Sequence, residues 1–219
     1  MLYFANNFFS EKQHQDFKKK LLLDSNWIEG SNSASGLAKV NKKNLQLNKN
    51  QLYENLCKEI IMCFKKNDLI NNYAFPEKIF SILFSRTSVG MYYKPHIDLS
   101  YIDGHRRDFS FTIFLNDPDE YKGGELILNI PPEKKAIKLK AGQIIIYPTK
   151  YLHEVKEVIE GERIVCVGWI ESEIANNEDR ENMTILKTTL NEIVTNYGTS
   201  STSTQLSIAV NNLYKRFIC

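Results

Sequence analysis

The sequence predicts an α+β protein with a mostly β core, and three observations carry that prediction. Hydrophobic spacing is helical before Ile79, alternates strictly from there to about Ile170, and returns to helical spacing from Glu173 onward. About eight short strands fall within some ninety residues of the alternating region. Turn signals such as Asn116-Asp117-Pro118-Asp119 and Gly123-Gly124 separate them. Many short strands with regular turns mean a sandwich, jelly roll or barrel.

In chain order, an apolar segment (Leu2 to Phe9) precedes Ser10 and Gln13, which form a capping-box pattern. Phe17 and Leu21 continue that helix to about Leu23. The stretch from Trp27 to Ser35 is small and polar and reads as a loop, before a strand from Ala38 to Leu47. Leu52, Leu56, Ile60, Cys63 and Phe64 lie on one face of a second helix, where Cys57 and Cys63 serve packing. Strands are expected at Ile79–Thr87, Met91–Asp98, Phe109–Leu115, Glu125–Asn129, Ala136–Lys140, Gln143–Tyr147, Tyr151–Val158 and Arg163–Ile170. A Gly-Thr-Ser-Ser-Thr-Ser-Thr linker at 198–204 precedes a last apolar stretch, Leu206 to Ile218. The expected organisation is a supporting region of helices and strands at 1–78, a β core at 79–172 and a short helical tail at 173–219.

Composition narrows the function. The chain has 219 residues, 42% of them hydrophobic, enough for a core without disulfide staples. Its 28 Lys and Arg against 26 Asp and Glu leave a net charge of +2, with no basic footprint for nucleic acid. No apolar run is long enough for a bilayer span. The four cysteines show no metal-binding or redox spacing and no secretory signal is evident, which predicts a reduced, cytoplasmic protein.

Only four positions, His14, His96, His105 and His153, can supply an imidazole. His14 falls among polar residues of the first helix, and His105 in a Gly-His-Arg-Arg loop, so both are expected to be solvated. His96 and Asp98 are two apart and project to one side of an extended chain. His-x-Asp alone reads as a surface ion pair, but His153 opens a later strand that a jelly roll can bring alongside. Two histidines and one carboxylate make the facial triad of non-haem Fe(II) oxygenases, which leaves coordination positions open. Arg163 shares strand parity with Val165, Val167 and Trp169; facing inward, its guanidinium requires an anionic partner. The far carboxylate of 2-oxoglutarate fits that requirement. Asn44 and Gln46 share a face that is either a substrate wall or solvated. Arg106 and Arg107 lie near the site and are expected to be exposed.

Several segments resemble the bacterial PKHD-type hydroxylases, iron- and 2-oxoglutarate-dependent relatives of the prolyl 4-hydroxylases. They are Gly90 to Asp98, Arg107-Asp108-Phe109-Ser110, Phe114 to Pro118, Tyr121 to Leu126, Lys138 to Gly142, Tyr147-Pro148, and His153 through Arg163 to Trp169. The resemblance extends to Lys42 through Leu47, Arg180 and Asn211-Asn212-Leu213. It implies a double-stranded β-helix (jelly roll), iron on His96, Asp98 and His153, 2-oxoglutarate on Arg163, and a cosubstrate-pocket role for Tyr93. It further implies L-ascorbate as a reductant, dioxygen as cosubstrate, and a peptide or small-molecule substrate. Thr87 stands where the family carries an aromatic, and the tail lacks the family's acidic helix motif; these departures bear on substrate and dimer contacts, not on iron. The competing readings are a non-catalytic jelly-roll module that binds or senses metal, and a zinc hydrolase, for which no general base is placed.

Overall fold

The computed structural model describes residues 3–33 and 41–218. Positions 38–40 of the expected strand and Cys219 lie outside the described residues. The apolar start forms an edge strand, β1 (Phe4–Asn7). Helix α1 (Glu11–Leu23) begins at the Ser10/Gln13 capping box and buries Phe17 and Leu21. The expected loop at 27–35 holds a short strand, β2 (Trp27–Glu29), and a 3₁₀ turn (Gly30–Ser33), and its last two positions lie outside the described residues. The strand expected to run to Leu47 is divided at Asn44 into β3 (Lys42–Lys43) and β4 (Leu45–Leu47), which join different sheets. Helix α2 (Gln51–Lys65), capped by Asn50, buries Tyr53, Leu56, Ile60 and Phe64. A further helix, α3 (Asp68–Ala74), follows it.

The remaining strands are β5 (Pro76–Ser88), β6 (Tyr92–His96), β7 (Tyr101–Ile102), β8 (His105–Arg106) and β9 (Phe109–Phe114). They continue with β10 (Tyr121–Gly123), β11 (Leu126–Ile130), β12 (Glu133–Ile137), β13 (Gln143–Pro148), β14 (His153–Val155) and β15 (Val158–Ser172). The larger, eight-stranded sheet runs β1-β13-β9-β15-β5-β4-β2, with β10 paired to β15; the smaller runs β12-β11-β14-β6-β3. All pairings are antiparallel. This is the double-stranded β-helix expected from the sequence.

Strict alternation divides the two faces of the larger sheet. Phe109, Phe111 and Ile113 of β9, with Ile164, Cys166 and Ile170 of β15, join Phe17, Leu56, Ile60 and Phe64 of the helices in one core. Each fully buried side chain of this kind contributes about 1.5–3 kcal/mol. Ser110, Thr112 and Phe114, with Arg163, Val165, Val167 and Trp169, take the opposite parity. Phe114 and Val165 pack there against Leu126, Leu128 and Ile145 in a second core between the sheets. The polar members face a cavity at the end of that core.

The tail is longer in helix than the sequence suggested. Helices α4 (Asn177–Tyr197) and α5 (Ser201–Phe217) pack together, burying Met183 and Val210 against Phe75 and Ile174. The Ser/Thr stretch read as a linker is mostly the first turn of α5, because Ser200 caps it through the amide of Ser203. Among the described residues no helix is long and apolar enough to cross a membrane.

Candidate active site

Sheet register brings the two histidines together. His96, the last residue of β6, lies directly opposite His153, the first of β14, with ring centroids 4.2 Å apart. Asp98 lies just beyond the end of β6 and reaches both rings. Its Oδ1 is 3.7 Å from His96 Nε2, and its Oδ2 is 3.7 Å from His153 Nε2. Each histidine turns Nδ1 to a main-chain carbonyl, Lys94 O at 2.8 Å and Tyr151 O at 2.9 Å. A carbonyl only accepts, so Nδ1 carries the proton and the Nε2 lone pairs face the carboxylate. One donor atom from each of the three residues lies within 4.8 Å of the others, a spacing that suits one metal ion.

The electrostatics favour that donor set. Burial, then the neighbouring His153, pushes His96 down to about 4, so its ring is neutral and able to ligate. Burial works against ionising Asp98. The charge that His153 and His96 take on when protonated, with hydrogen bonds from Trp169 and Ser110, outweighs it and holds the carboxyl below its usual range. Trp169 Nε1 and Ser110 Oγ both donate to Oδ2, each at 2.9 Å.

Arg163 opens onto the same cavity, which has a volume of about 470 Å³. The residue is only 3% exposed, and its guanidinium lies 5.5 Å from the Phe114 ring. Burial lowers its pKa, opposed only by the nearby Tyr121 and Tyr147 hydroxyls. No acidic side chain pairs with it among the described residues, and its Nε has no hydrogen-bond partner there. A buried cation in this state is a seat for an anion. Gly124 makes the room: its φ is +68°, and a Cβ there would stand 3.2 Å from Arg163 Cδ and 3.1 Å from the Tyr121 ring.

The other expectations divide. Tyr93 lines the cavity with its ring stacked on His96, centroids 3.5 Å apart, and burial raises its phenol to about 12. Asn44 and Gln46 face inward, 7% and 4% exposed, and line the same cavity. His105 is partly exposed but also bound: its Nδ1 meets Glu171 Oε2 at 2.6 Å and its Nε2 meets Lys78 Nζ at 2.5 Å, away from the triad. Arg106 is tied to Ser172 O and Glu171. Arg107, expected to be an exposed arginine, is half-buried, its Cζ 3.8 Å from the centroid of the Trp169 ring within the cavity. The bonds of Trp169 and Ser110 to Asp98 were not anticipated either. Strand parity puts both on the cavity face, but their reach to Asp98 depends on the chain's path after β6.

A jelly roll with a His-Asp-His cluster and a buried unpaired arginine at one cavity defines a class, the 2-oxoglutarate- and Fe(II)-dependent dioxygenases. Residues 82–171 match the model of the 2OG-Fe(II) oxygenase superfamily. A PKHD-type hydroxylase of Prochlorococcus marinus (strain MIT 9211) is 39% identical over 209 residues, covering 94% of this chain and 95% of that one. The fold is shared with a Pseudomonas putida prolyl-4-hydroxylase (TM-score 0.54, 14% identity, 78% of this chain and 92% of that one). It is also shared with a Trichoplax adhaerens prolyl hydroxylase solved with a hypoxia inducible factor peptide fragment (TM-score 0.55, 14% identity, 77% and 83%).

The chain belongs to the PKHD-type hydroxylases. It is an oxidoreductase that uses Fe(II) and 2-oxoglutarate to hydroxylate a C–H bond, with 2-oxoglutarate decarboxylated to succinate and CO2. The non-catalytic reading gives way to an enzyme.

Proposed function

We propose that His96, Asp98 and His153 hold the iron, that Arg163 receives the far carboxylate of 2-oxoglutarate, and that Tyr93 walls the cosubstrate pocket. The observation that carries this reading is the pair of Nδ1–carbonyl bonds, which aim both Nε2 lone pairs at Asp98. Bound Fe(II), with 2-oxoglutarate and dioxygen, supplies the oxidising power for C–H hydroxylation. The chain's own residues prepare the site for it. Trp169 and Ser110 fix the rotation of Asp98. Tyr93 packs on the face of His96. Arg163, screened from water by Phe114, Tyr121 and Tyr147, orients the cosubstrate by one end. The substrate is a peptide or small molecule entering through the cavity mouth. L-Ascorbate serves as the reductant that restores iron to the ferrous state, and the protein works in the cytoplasm. Segment 79–172 is the catalytic core, with 1–78 and 173–219 as its supports.

Anaerobic protein mixed with Fe(II) and 2-oxoglutarate should develop a weak visible charge-transfer band. The band should be absent in His153→Ala and weakened in Arg163→Ala; three identical spectra would remove the assignment. Trp169→Phe keeps a ring beneath Arg107 but deletes the N–H donor to Asp98. Loss of such an outer-shell partner costs roughly 10- to 100-fold in metal affinity. An Fe(II) titration with unchanged affinity would show that the indole does not orient the carboxylate.

A further inference from the structure

We propose that Arg107 reads a carboxylate on the hydroxylated substrate, so that the substrate of this enzyme is a small carboxylic acid with an apolar body. This inference rests on the iron and 2-oxoglutarate reading above. Arg107 lies within the cavity wall, its guanidinium 3.8 Å above the Trp169 ring, and Trp169 in turn bonds Asp98. The stack places the cation one side chain away from the triad. Its Nε is buried without a hydrogen-bond partner, and the guanidinium forms no ion pair among the described residues. Asp98 and Asp103 act on it only through space. Stacking on an aromatic face fixes the plane of a guanidinium and leaves its edge for a ligand, and a fixed edge matches a carboxylate in bidentate fashion.

The charges of the cavity lead to the same conclusion. Asp98 is the one acidic side chain lining it among the described residues, and the metal engages that group. The ion and Arg163 are balanced by Asp98 and the dianionic cosubstrate. Arg107, with Lys42 in the same lining, then leaves positive charge that the cosubstrate does not balance, and Asp98 and Asp103 reach Arg107 only through space. Beside Arg107 the wall is apolar: Ile97, Leu99 and Ile102 line the mouth, with Ile97 and Leu99 more than half exposed. An exposed apolar rim beside a half-buried cation fits an apolar body that ends in a carboxylate.

The indole under Arg107 supplies the readout. The chain has two tryptophans, so Trp27→Phe leaves Trp169 as the sole reporter. The anaerobic complex with Fe(II) and 2-oxoglutarate is titrated with matched acids and primary amides, N-acetylproline against N-acetylprolinamide and 3-phenylpropionate against its amide, with inorganic phosphate as a further anion. Acids should perturb Trp169 fluorescence with Kd values at least about tenfold below their amides, as a charge-assisted bidentate contact implies. That preference should shrink to within about twofold in Arg107→Gln and be intermediate in Arg107→Lys, which keeps charge without the fork. The same acids should stimulate succinate release more than their amides. Equal binding of acid and amide in the unaltered site, a preference surviving Arg107→Gln, or phosphate binding above every acid overturns the proposal. If the visible band of the Fe(II) and 2-oxoglutarate complex never forms, the site reading itself fails; if it forms and acids show no preference, the carboxylate proposal alone fails.

Discussion

Arg163→Met should yield a protein that is more stable than the parent without cosubstrate and that no longer holds 2-oxoglutarate. Both effects follow from a guanidinium 3% exposed with no acidic partner among the described residues. Folding takes that cation out of water with only Tyr121 and Tyr147 to offset the loss. Methionine fills similar space without charge and should raise stability by about 1–3 kcal/mol. For a chain of this size that is a Tm increase of roughly 2–4 °C per kcal/mol. The lost ion pair with the ligand costs about 3–5 kcal/mol, or roughly 200- to 5,000-fold in affinity. Thermal unfolding with and without 2-oxoglutarate reads both at once. The parent should be stabilised by about 2.7 kcal/mol at a hundredfold excess over Kd, and the variant not at all. A destabilised variant that keeps the ligand-induced shift would contradict the anchor.

Asp98→Asn should abolish succinate formation while leaving the fold intact. The amide oxygen can still accept from Trp169 Nε1 and Ser110 Oγ, so the local packing survives and the change is one of charge. A neutral oxygen ligates iron poorly beside two neutral imidazoles. Removal of a direct ligand should cost more than the ~100-fold assigned to an outer partner. Fe(II) titration and succinate assay, with circular dichroism as the folding control, check it. Parent-like iron affinity in Asp98→Asn would take that carboxylate out of the coordination sphere.

The sequence made the chemistry more legible than the periphery. Histidine is scarce here, so His96 and His153 stood out, and period-two alternation turned Arg163 to Trp169 into a face before any fold was known. That parity holds because β15 pairs on both sides, with β5 and β9, and cannot slip by one residue without burying the wrong set. The elements that escaped prediction depend on distant partners. Phe4–Asn7 is a strand because Gln143–Ile146 offers it an edge, and Lys42–Leu47 divides because its halves pair with strands of opposite sheets. His105 and Arg107 follow one another closely in a polar loop pattern. Their separate fates, one held by Glu171 and one stacked on Trp169, arise from tertiary placement alone. The Ser/Thr run at 198–204 is ambiguous by chemistry, since the residues that make linkers also cap helices.

The division of the chain at Asn44 has a consequence for how the cavity is built. Asn41, Lys42, Asn44 and Gln46 form part of the cavity wall, yet they lie outside the stretch from 82 to 171 that defines the superfamily. The proposed iron ligands, the proposed cosubstrate anchor and their supporting donors all lie inside it. The proposed oxidative machinery and part of the cavity wall thus lie on separate stretches of one polypeptide. Substitutions in the leading segment would reshape that wall without touching the proposed iron ligands or cosubstrate anchor.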